Sequence, residues 1–190
     1  MKVGVLSLQG GYQKHIEILL DIGIDVKKVR YANDLKDIDG LIIPGGESTT
    51  FSKLIQKQNL HKKLLEFIEK KPIYGTCAGL ILMSNNISNS ISVKSFNVFD
   101  ITVSRNGWGR QIHSFIEEVD INGFEQKFKA VFIRAPKILD SSKDVEILST
   151  YMDSPIMIKK GKFLGTTFHP ELTNDTRIHE YFIKMIKNSN

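Results

Sequence analysis

The sequence predicts an α/β fold: a three-layer sandwich with a mostly parallel central sheet, helices on both faces and an added antiparallel portion. Short strand-like runs recur through the first half, at Val3 to Leu8, Ile24 to Val29 and Gly40 to Pro44. The first and third are almost wholly apolar, as strands buried on both faces are. Between the first two, Tyr12, Ile16, Leu19 and Leu20 recur at helical spacing. This strand–helix–strand rhythm argues for parallel neighbours. Beyond Phe96 it gives way to short strands joined by tight turns, which reads as antiparallel pairing.

In chain order, Gln9-Gly10-Gly11 breaks the first strand and Gly23 is placed to stop the first helix. The third strand runs into Gly45-Gly46-Glu47-Ser48-Thr49-Thr50, where Ser48 or Thr49 can cap a helix carrying Phe51, Leu54 and Ile55. A second helical stripe, Leu60, Leu64, Phe67 and Ile68, precedes the strand Pro72 to Tyr74. Leu80 to Met83 then continues as helix. Asn85 to Ser92, rich in Asn and Ser, is expected as an exposed loop. Val98 to Val103 and Ile112 to Ile116 suggest edge strands, with Ser104 to Gln111 as an Arg-rich turn anchored by Trp108. Lys129 to Ile133 is an apolar strand that Pro136 stops. Val145 to Tyr151, Ile156 to Lys159 and Phe163 to Phe168 form a meander, with turns at Asp153-Ser154-Pro155 and Lys160-Gly161. Asn174 or Asp175 caps a last helix with Ile178, Tyr181, Phe182, Met185 and Ile186 on one face. With no internal repeat and no linker, residues 1–190 read as a single domain.

Composition narrows the class. A net charge of +5 spread over scattered lysines is a solvated surface rather than a nucleic-acid patch. One cysteine excludes an internal disulfide and a cysteine-only metal cluster, and suits a reducing compartment. No apolar run reaches membrane-span length, and the chain enters a strand almost at once, which leaves no room for a signal peptide. A cytoplasmic protein without membrane or nucleic-acid partners is the expectation.

The lone cysteine sits in Gly75-Thr76-Cys77-Ala78-Gly79, between an apolar strand and a helix. This is the cysteine form of the Gly-x-Ser-x-Gly elbow, whose sharp turn lifts the middle residue clear of the sheet. Glycines on either side are needed because side chains there would crowd the turn. A thiol at a helix N-terminus faces N–H groups and a dipole that favour thiolate. The N–H of Ala78 is placed to meet an oxyanion. Taken alone, the stretch is equally a buried cysteine in a tight connection. The Gly45-Gly46 loop also ends a parallel strand, where open α/β sheets bind ligands. It lacks the Gly-Lys-Ser/Thr ending of a Walker phosphate loop.

A cysteine nucleophile needs a base, and the base needs an orienting group. His15, His61, His113 and His179 lie in helical, linker or edge-strand positions with no acid placed to direct them, and read as surface or satisfied histidines. His169 differs. It follows a strand and Glu171 is two residues on, on the same side of an extended chain. Arg105, on the Arg-rich turn, can reach a carboxylate in a neighbouring cleft, and Pro136 leaves Arg134 and the backbone of Ile133 at a strand end.

With these residues in place, the chain resembles the class I, or triad, glutamine amidotransferases, and among them the glutaminase subunits of pyridoxal 5′-phosphate synthase. The resemblance rests on Val3 to Gly10, Ile43 to Thr50, Gly75 to Gly79, Arg105 to Gln111, Phe132 to Pro136 and Phe168 to Thr173. The elbow and His169-Pro170-Glu171 mark the superfamily alone, which also serves histidine and nucleotide biosynthesis; the other runs are more specific. The late His-Pro-Glu and the glycine loop argue against a cysteine peptidase or stress protein on a related sheet; a flavodoxin-like binding module with a chance cysteine is the non-enzyme alternative, which replacing Cys77 by Ala separates. Lys14 departs from the family pattern, which has an acid there, as does the Asn/Ser-rich stretch Asn86 to Phe99.

The resemblance implies a flavodoxin-like sandwich that hydrolyses L-glutamine through a cysteinyl thioester. It makes Cys77, His169 and Glu171 the catalytic triad and gives Gly46 and Ala78 the oxyanion hole. Gly46, Glu47, Ser48, Arg105, Ile133 and Arg134 would bind L-glutamine. No metal or cofactor is implied. The partner is a (β/α)₈-barrel synthase subunit in a large hetero-oligomer, which receives the ammonia and makes pyridoxal 5′-phosphate from ribose 5-phosphate and glyceraldehyde 3-phosphate. The Gly45-Gly46 peptide can flip cheaply, so the hole is expected to form when the synthase docks.

Overall fold

A computed structural model of the chain describes residues 1–88, 93–105, 107, 108 and 114–189. The first half alternates strand and helix: β1 (Lys2–Leu6), α1 (Tyr12–Asp21), β2 (Asp25–Val29), β3 (Gly40–Ile43), α2 (Ser48–Lys57), α3 (His61–Ile68), β4 (Ile73–Thr76) and α4 (Ala78–Met83). The second half is mainly strand: β5 (Ser84–Ser88), β6 (Phe99–Ser104), β7 (Ser114–Val119), β8 (Phe128–Ile133), β9 (Lys137–Ser141), β10 (Glu146–Tyr151), β11 (Ser154–Lys160) and β12 (Phe163–Thr166). A closing helix, α5 (Arg177–Ser189), follows.

Among the described residues these strands form three sheets. The largest has the order β10-β11-β12-β4-β3-β1-β2. The run from β12 to β2 is parallel, and β10 and β11 extend it antiparallel. The other sheets are β5-β6-β9 and the antiparallel pair β7-β8. The mostly parallel sheet with an antiparallel addition is thus the expected architecture.

Alternation along the strands divides the core. Leu41, Ile43 and Ile73 pack with Phe51, Leu64 and Leu80 of α2, α3 and α4. Val3, Val5, Ile42 and Tyr74 face the opposite way, onto Ile16, Leu19, Ile178 and Phe182 of α1 and α5. Adjacent strand residues point to opposite faces, so runs such as Leu41-Ile42-Ile43 must be apolar at every position to feed both layers. No helix among the described residues is long and apolar enough to cross a membrane.

Several local readings need correction. Asn85 to Ser88 is not loop but most of β5, which runs parallel to β6. Cross-strand bonds from Asn85 to Asp100 and from the Ser88 hydroxyl to the Val103 carbonyl hold this polar stretch, so context overrides its weak strand propensity. Residues 89–92, and the Asn106 and Gly109 to His113 part of the Arg-rich turn and following strand, lie outside the described residues. Glu47, not Ser48 or Thr49, caps α2, accepting from the N–H groups of Thr49 and Thr50. The β10–β11 turn is Met152-Asp153, both with positive φ, rather than Asp153 to Pro155. Strand β9 was not foreseen. Leu20, placed on the apolar stripe, is 57% exposed.

Candidate active site

The connections leaving β1, β3, β4 and β12 all emerge from the carboxyl edge of the parallel sheet, where β1 and β3 mark the change of winding direction. Gln9-Gly10-Gly11, Gly45-Gly46-Glu47, Cys77 and His169 occupy these four exits. The register aligns them: β4 pairs with β3 on one side and β12 on the other, with Thr166 opposite Thr76. The Cys77 N–H donates to the Thr166 carbonyl at 2.8 Å, tying the elbow to the strand that delivers His169.

Cys77 has φ 48° and ψ −103°, a conformation that costs an L-residue strain and is held by the packed elbow around it. A Cβ on Gly75 would stand 2.7 Å from the Gly79 carbonyl carbon. One on Gly79 would be 2.9 Å from the Ile43 carbonyl carbon. Both flanking glycines are therefore required by space, as the turn predicts. The thiol is free and 5% exposed.

The His169 ring and the Cys77 side chain both flank Gly45, and the thiol is one of the groups that raise the imidazole pKa. His169 Nδ1 lies 2.7 Å from Glu171 Oε1. Pro170 starts the 3-10 turn Pro170–Leu172, which brings the Glu171 carboxylate back to the ring. Burial alone would lower the His169 pKa. Its contacts with Cys77 and Glu171 outweigh burial and raise it to about 10. Glu171 is 3% exposed; burial opposes its ionisation, but His15 and His169 hold its carboxyl below the ordinary range.

The glycine loop closes the opposite side. The Gly45 carbonyl accepts from the Gly11 N–H at 3.1 Å, so the N–H of Gly46, across the same trans peptide, points the other way. Gly46 has φ 157°, and a Cβ there would meet the Gln9 side chain, whose amide donates to the Glu47 carbonyl at 2.8 Å. Ala78 opens α4, so no carbonyl of its own helix reaches its N–H.

Arg105, directly after β6, places Nη2 2.6 Å from Glu47 Oε1, which ties the end of that strand to the glycine loop. Partial burial works against ionisation of Glu47, but the Thr50 hydroxyl and the N–H groups of Thr49 and Thr50 hold its pKa at about 2. Ser48 is buried and its hydroxyl has no hydrogen-bond partner among the described residues. Ile133 and Arg134 end β8, and the Val131 carbonyl of that strand accepts from the His169 N–H at 2.8 Å. Arg134 has φ 43°, a second strained residue beside this edge. Trp108 anchors its turn from a half-buried position, donating to the Pro136 carbonyl and packing edge-on to Phe115 and Phe132.

One feature of the site corrects the reading of the other histidines. His15 and His179 are fully buried, and His15 does have an acid beside it. Its Nε2 lies 3.5 Å from Glu171 Oε2, and its Nδ1 is 2.9 Å from His179 Nε2. Helical spacing carried the signal: His15 falls three residues after Tyr12 and four before Leu19, and His179 lies four before Ile183, both on core-facing stripes.

Sulfur, imidazole and carboxylate in sequence, at the edge of a sheet beside a glycine loop, can carry nucleophilic acyl transfer. Over residues 5–188 the chain matches the SNO glutamine amidotransferase family. It is 49% identical over 188 residues to "Pyridoxal 5'-phosphate synthase subunit PdxT" of Thermosipho africanus, covering 98% of this chain and 100% of that one. The protein of the same name from Thermotoga petrophila is 46% identical over 189 residues, with 98% and 100% covered. A solved structure described as "Crystal structure of glutamine amidotransferase" superposes with a TM-score of 0.93 at 38% identity, covering 97% of this chain and 98% of the other. The match along nearly the whole length, with the sheet and helices in common, makes this chain a member of the SNO glutamine amidotransferase family.

Proposed function

We propose that this protein, acting as one glutaminase domain over residues 1–190, hydrolyses L-glutamine to L-glutamate and ammonia. The ammonia passes to a barrel-shaped synthase subunit in a cytoplasmic hetero-oligomer that makes pyridoxal 5′-phosphate. The observation that carries the reading is the gathering of Cys77 and His169 around Gly45, with His169 bonded on to Glu171. Relatives named as pyridoxal 5′-phosphate synthase subunits support the pathway and a synthase partner.

The chemistry follows from the order of the groups. Cys77 gives its proton to His169, and the sulfur attacks the side-chain amide carbon of glutamine. The N–H groups of Gly46 and Ala78 hold the oxyanion. The tetrahedral intermediate collapses as His169 protonates the departing nitrogen, leaving a thioester and free ammonia. His169 then takes a proton from water, which attacks the thioester. Collapse of this second intermediate releases glutamate and returns the proton to sulfur. Glu171 keeps the imidazole in one orientation and stabilises its charged form. Glu47, Ser48, Arg105, Ile133 and Arg134 frame the glutamine, with guanidinium charge available for its α-carboxylate.

Cys77→Ala in the complete synthase complex tests the reading. Ammonia release from glutamine should vanish, while pyridoxal 5′-phosphate formation from added ammonium salt persists. Continued glutamine hydrolysis by the variant removes the assignment.

A further inference from the structure

The triad does not end at Glu171. Behind its second oxygen lies a buried line of three groups from three separate elements: Glu171 on the 3-10 turn, His15 on α1 and His179 on α5. His15 and His179 are each 0% exposed. Thr76 of β4 approaches His15 Nε2 at 3.4 Å, and the Tyr74 ring stands edge-on to both imidazoles at 6.4 and 6.2 Å. The charged or titratable groups facing His15 are thus Glu171, His169, His179 and Tyr74. Burial lowers the pKa of His15 and lowers that of His179 to about 3, so both rings are neutral.

Two neutral imidazoles in contact share one proton between the facing nitrogens, and the two ends of the line decide which way it points. His179 Nδ1 and Glu171 Oε2 are both buried with no hydrogen-bond partner among the described residues, His15 Nε2 standing 3.5 Å from that oxygen. A proton on His179 Nδ1 would be an unsatisfied donor, which costs more than an idle lone pair. The proton of His179 therefore sits on Nε2 and is donated to His15 Nδ1. His15 must then carry its own proton on Nε2, facing Glu171 Oε2. The opposite arrangement would bury an N–H of His179 and turn a lone pair of His15 toward a carboxylate oxygen. Both faults vanish in the first arrangement.

We propose that His15 is a positioning residue for glutamine hydrolysis: as the Nε2–H tautomer, fixed by His179, it turns that N–H toward the otherwise unpartnered Glu171 Oε2, 3.5 Å away, and so steadies the carboxylate that orients His169. A buried carboxylate with one oxygen on the base needs a donor on the other to stay ionised and in one rotamer. His15 supplies it without adding a second positive charge next to the imidazolium of His169. Its role is in orientation, so it should act on turnover rather than on glutamine affinity. This rests on the glutaminase reading, and the test separates the two.

Two measurements decide the matter. In the full chain labelled with ¹⁵N-histidine, NMR should show His15 and His179 neutral and protonated on Nε2 from pH 7 to pH 9. This readout does not depend on activity; His15 protonated on Nδ1 overturns the proposal. In the complex with the synthase, His15→Leu should lower kcat for glutamine hydrolysis at least about tenfold with little change in KM. The alkaline limb of its pH profile should move to lower pH, because a loosened Glu171 supports the His169 imidazolium less. His15→Gln, whose amide reaches the same place with an N–H, should recover most of the rate. A folded His15→Leu with wild-type kcat and pH profile, or a His15→Gln no better than it, sinks the idea. If His15→Leu does not fold, the tautomers and the Gln variant still decide. A wild-type complex that fails to hydrolyse glutamine would refute the functional reading instead and leave the tautomer result standing.

Discussion

Gly45 stands against the Cε1–Nδ1 edge of the His169 ring: a Cβ built on it would stand 2.9 Å from Nδ1, closer still to Cε1, and 3.4 Å from the Cys77 Cβ. A loop from β3 thus fixes the positions of a base carried after β12 and a thiol carried after β4. Gly45 is not in the left-handed region, so the constraint is contact rather than backbone strain. Gly45→Ala should fold, because the ring sits at the sheet edge and can swing aside. The swing takes His169 away from sulfur, and a displacement of about 1 Å costs on the order of a hundredfold in rate. Glutamine turnover should collapse while thermal unfolding moves by a few degrees at most. A fully active Gly45→Ala would mean the loop does not hold the base.

Gly79 makes the contrasting case. Its missing side chain would press on the Ile43 carbonyl, which belongs to a central strand and has nowhere to go. Gly79→Ala should therefore cost stability, about 3 kcal/mol, by forcing the elbow off the sheet. Urea unfolding measures this directly. A variant as stable as the wild type would show that α4 can slide to make room.

Much of this site could be read from the sequence because each part announces itself locally. The elbow needs glycine on both sides of Cys77, and His169 and Glu171 are two residues apart, so one strand exit brings both. The parallel sheet was legible for a similar reason: strands buried on both faces cannot hide among polar residues. What stayed hidden depends on contacts between distant segments. His15 and Glu171 are far apart in the chain, and only the docking of α1 over the 3-10 turn joins them. Strand β5 is polar enough to pass for a loop and takes its form from its partner β6. The cap of α2 was misplaced by one or two residues because Glu47, a less usual cap than Ser or Thr, reaches both free N–H groups.

The contact between Arg105 and Glu47 is short, but the two side chains are 33% and 49% exposed. An ion pair that open contributes at most about 1 kcal/mol. Its weight must therefore lie in where it puts the groups. Arg105→Ala should leave the denaturation midpoint nearly unchanged and raise KM for glutamine about tenfold or more, since a charged group is removed from the substrate's edge. Glu47→Ala should raise KM and also lower stability, because Glu47 caps α2, a role worth about 1 kcal/mol. If Arg105→Ala alters stability and not KM, the pair is structural.

The stability of the protein should depend on pH in both directions from a common point. His169 is raised from 6.5 to about 10 in the folded chain. A base held protonated by folding contributes stability that is complete below pH 6.5 and fades as pH rises toward 10, since the unfolded chain gives up its proton first. His179 is lowered from 6.5 to about 3. It contributes stability that is complete above pH 6.5 and fades as pH falls toward 3, because the unfolded chain then binds a proton that the buried ring refuses. The two windows meet near pH 6.5, where the unfolding free energy should peak. The limbs can be separated. Cys77→Ala removes one of the partners that raise His169 and should flatten the alkaline fall without touching the acid one. His179→Leu should flatten the acid fall, whatever it does to overall stability. Denaturant titrations from pH 4 to pH 10 on the three proteins test this. An alkaline limb as steep in Cys77→Ala as in the wild type would show that the sulfur does not hold the proton on His169, and with it the first step drawn for glutamine hydrolysis would lose its physical basis.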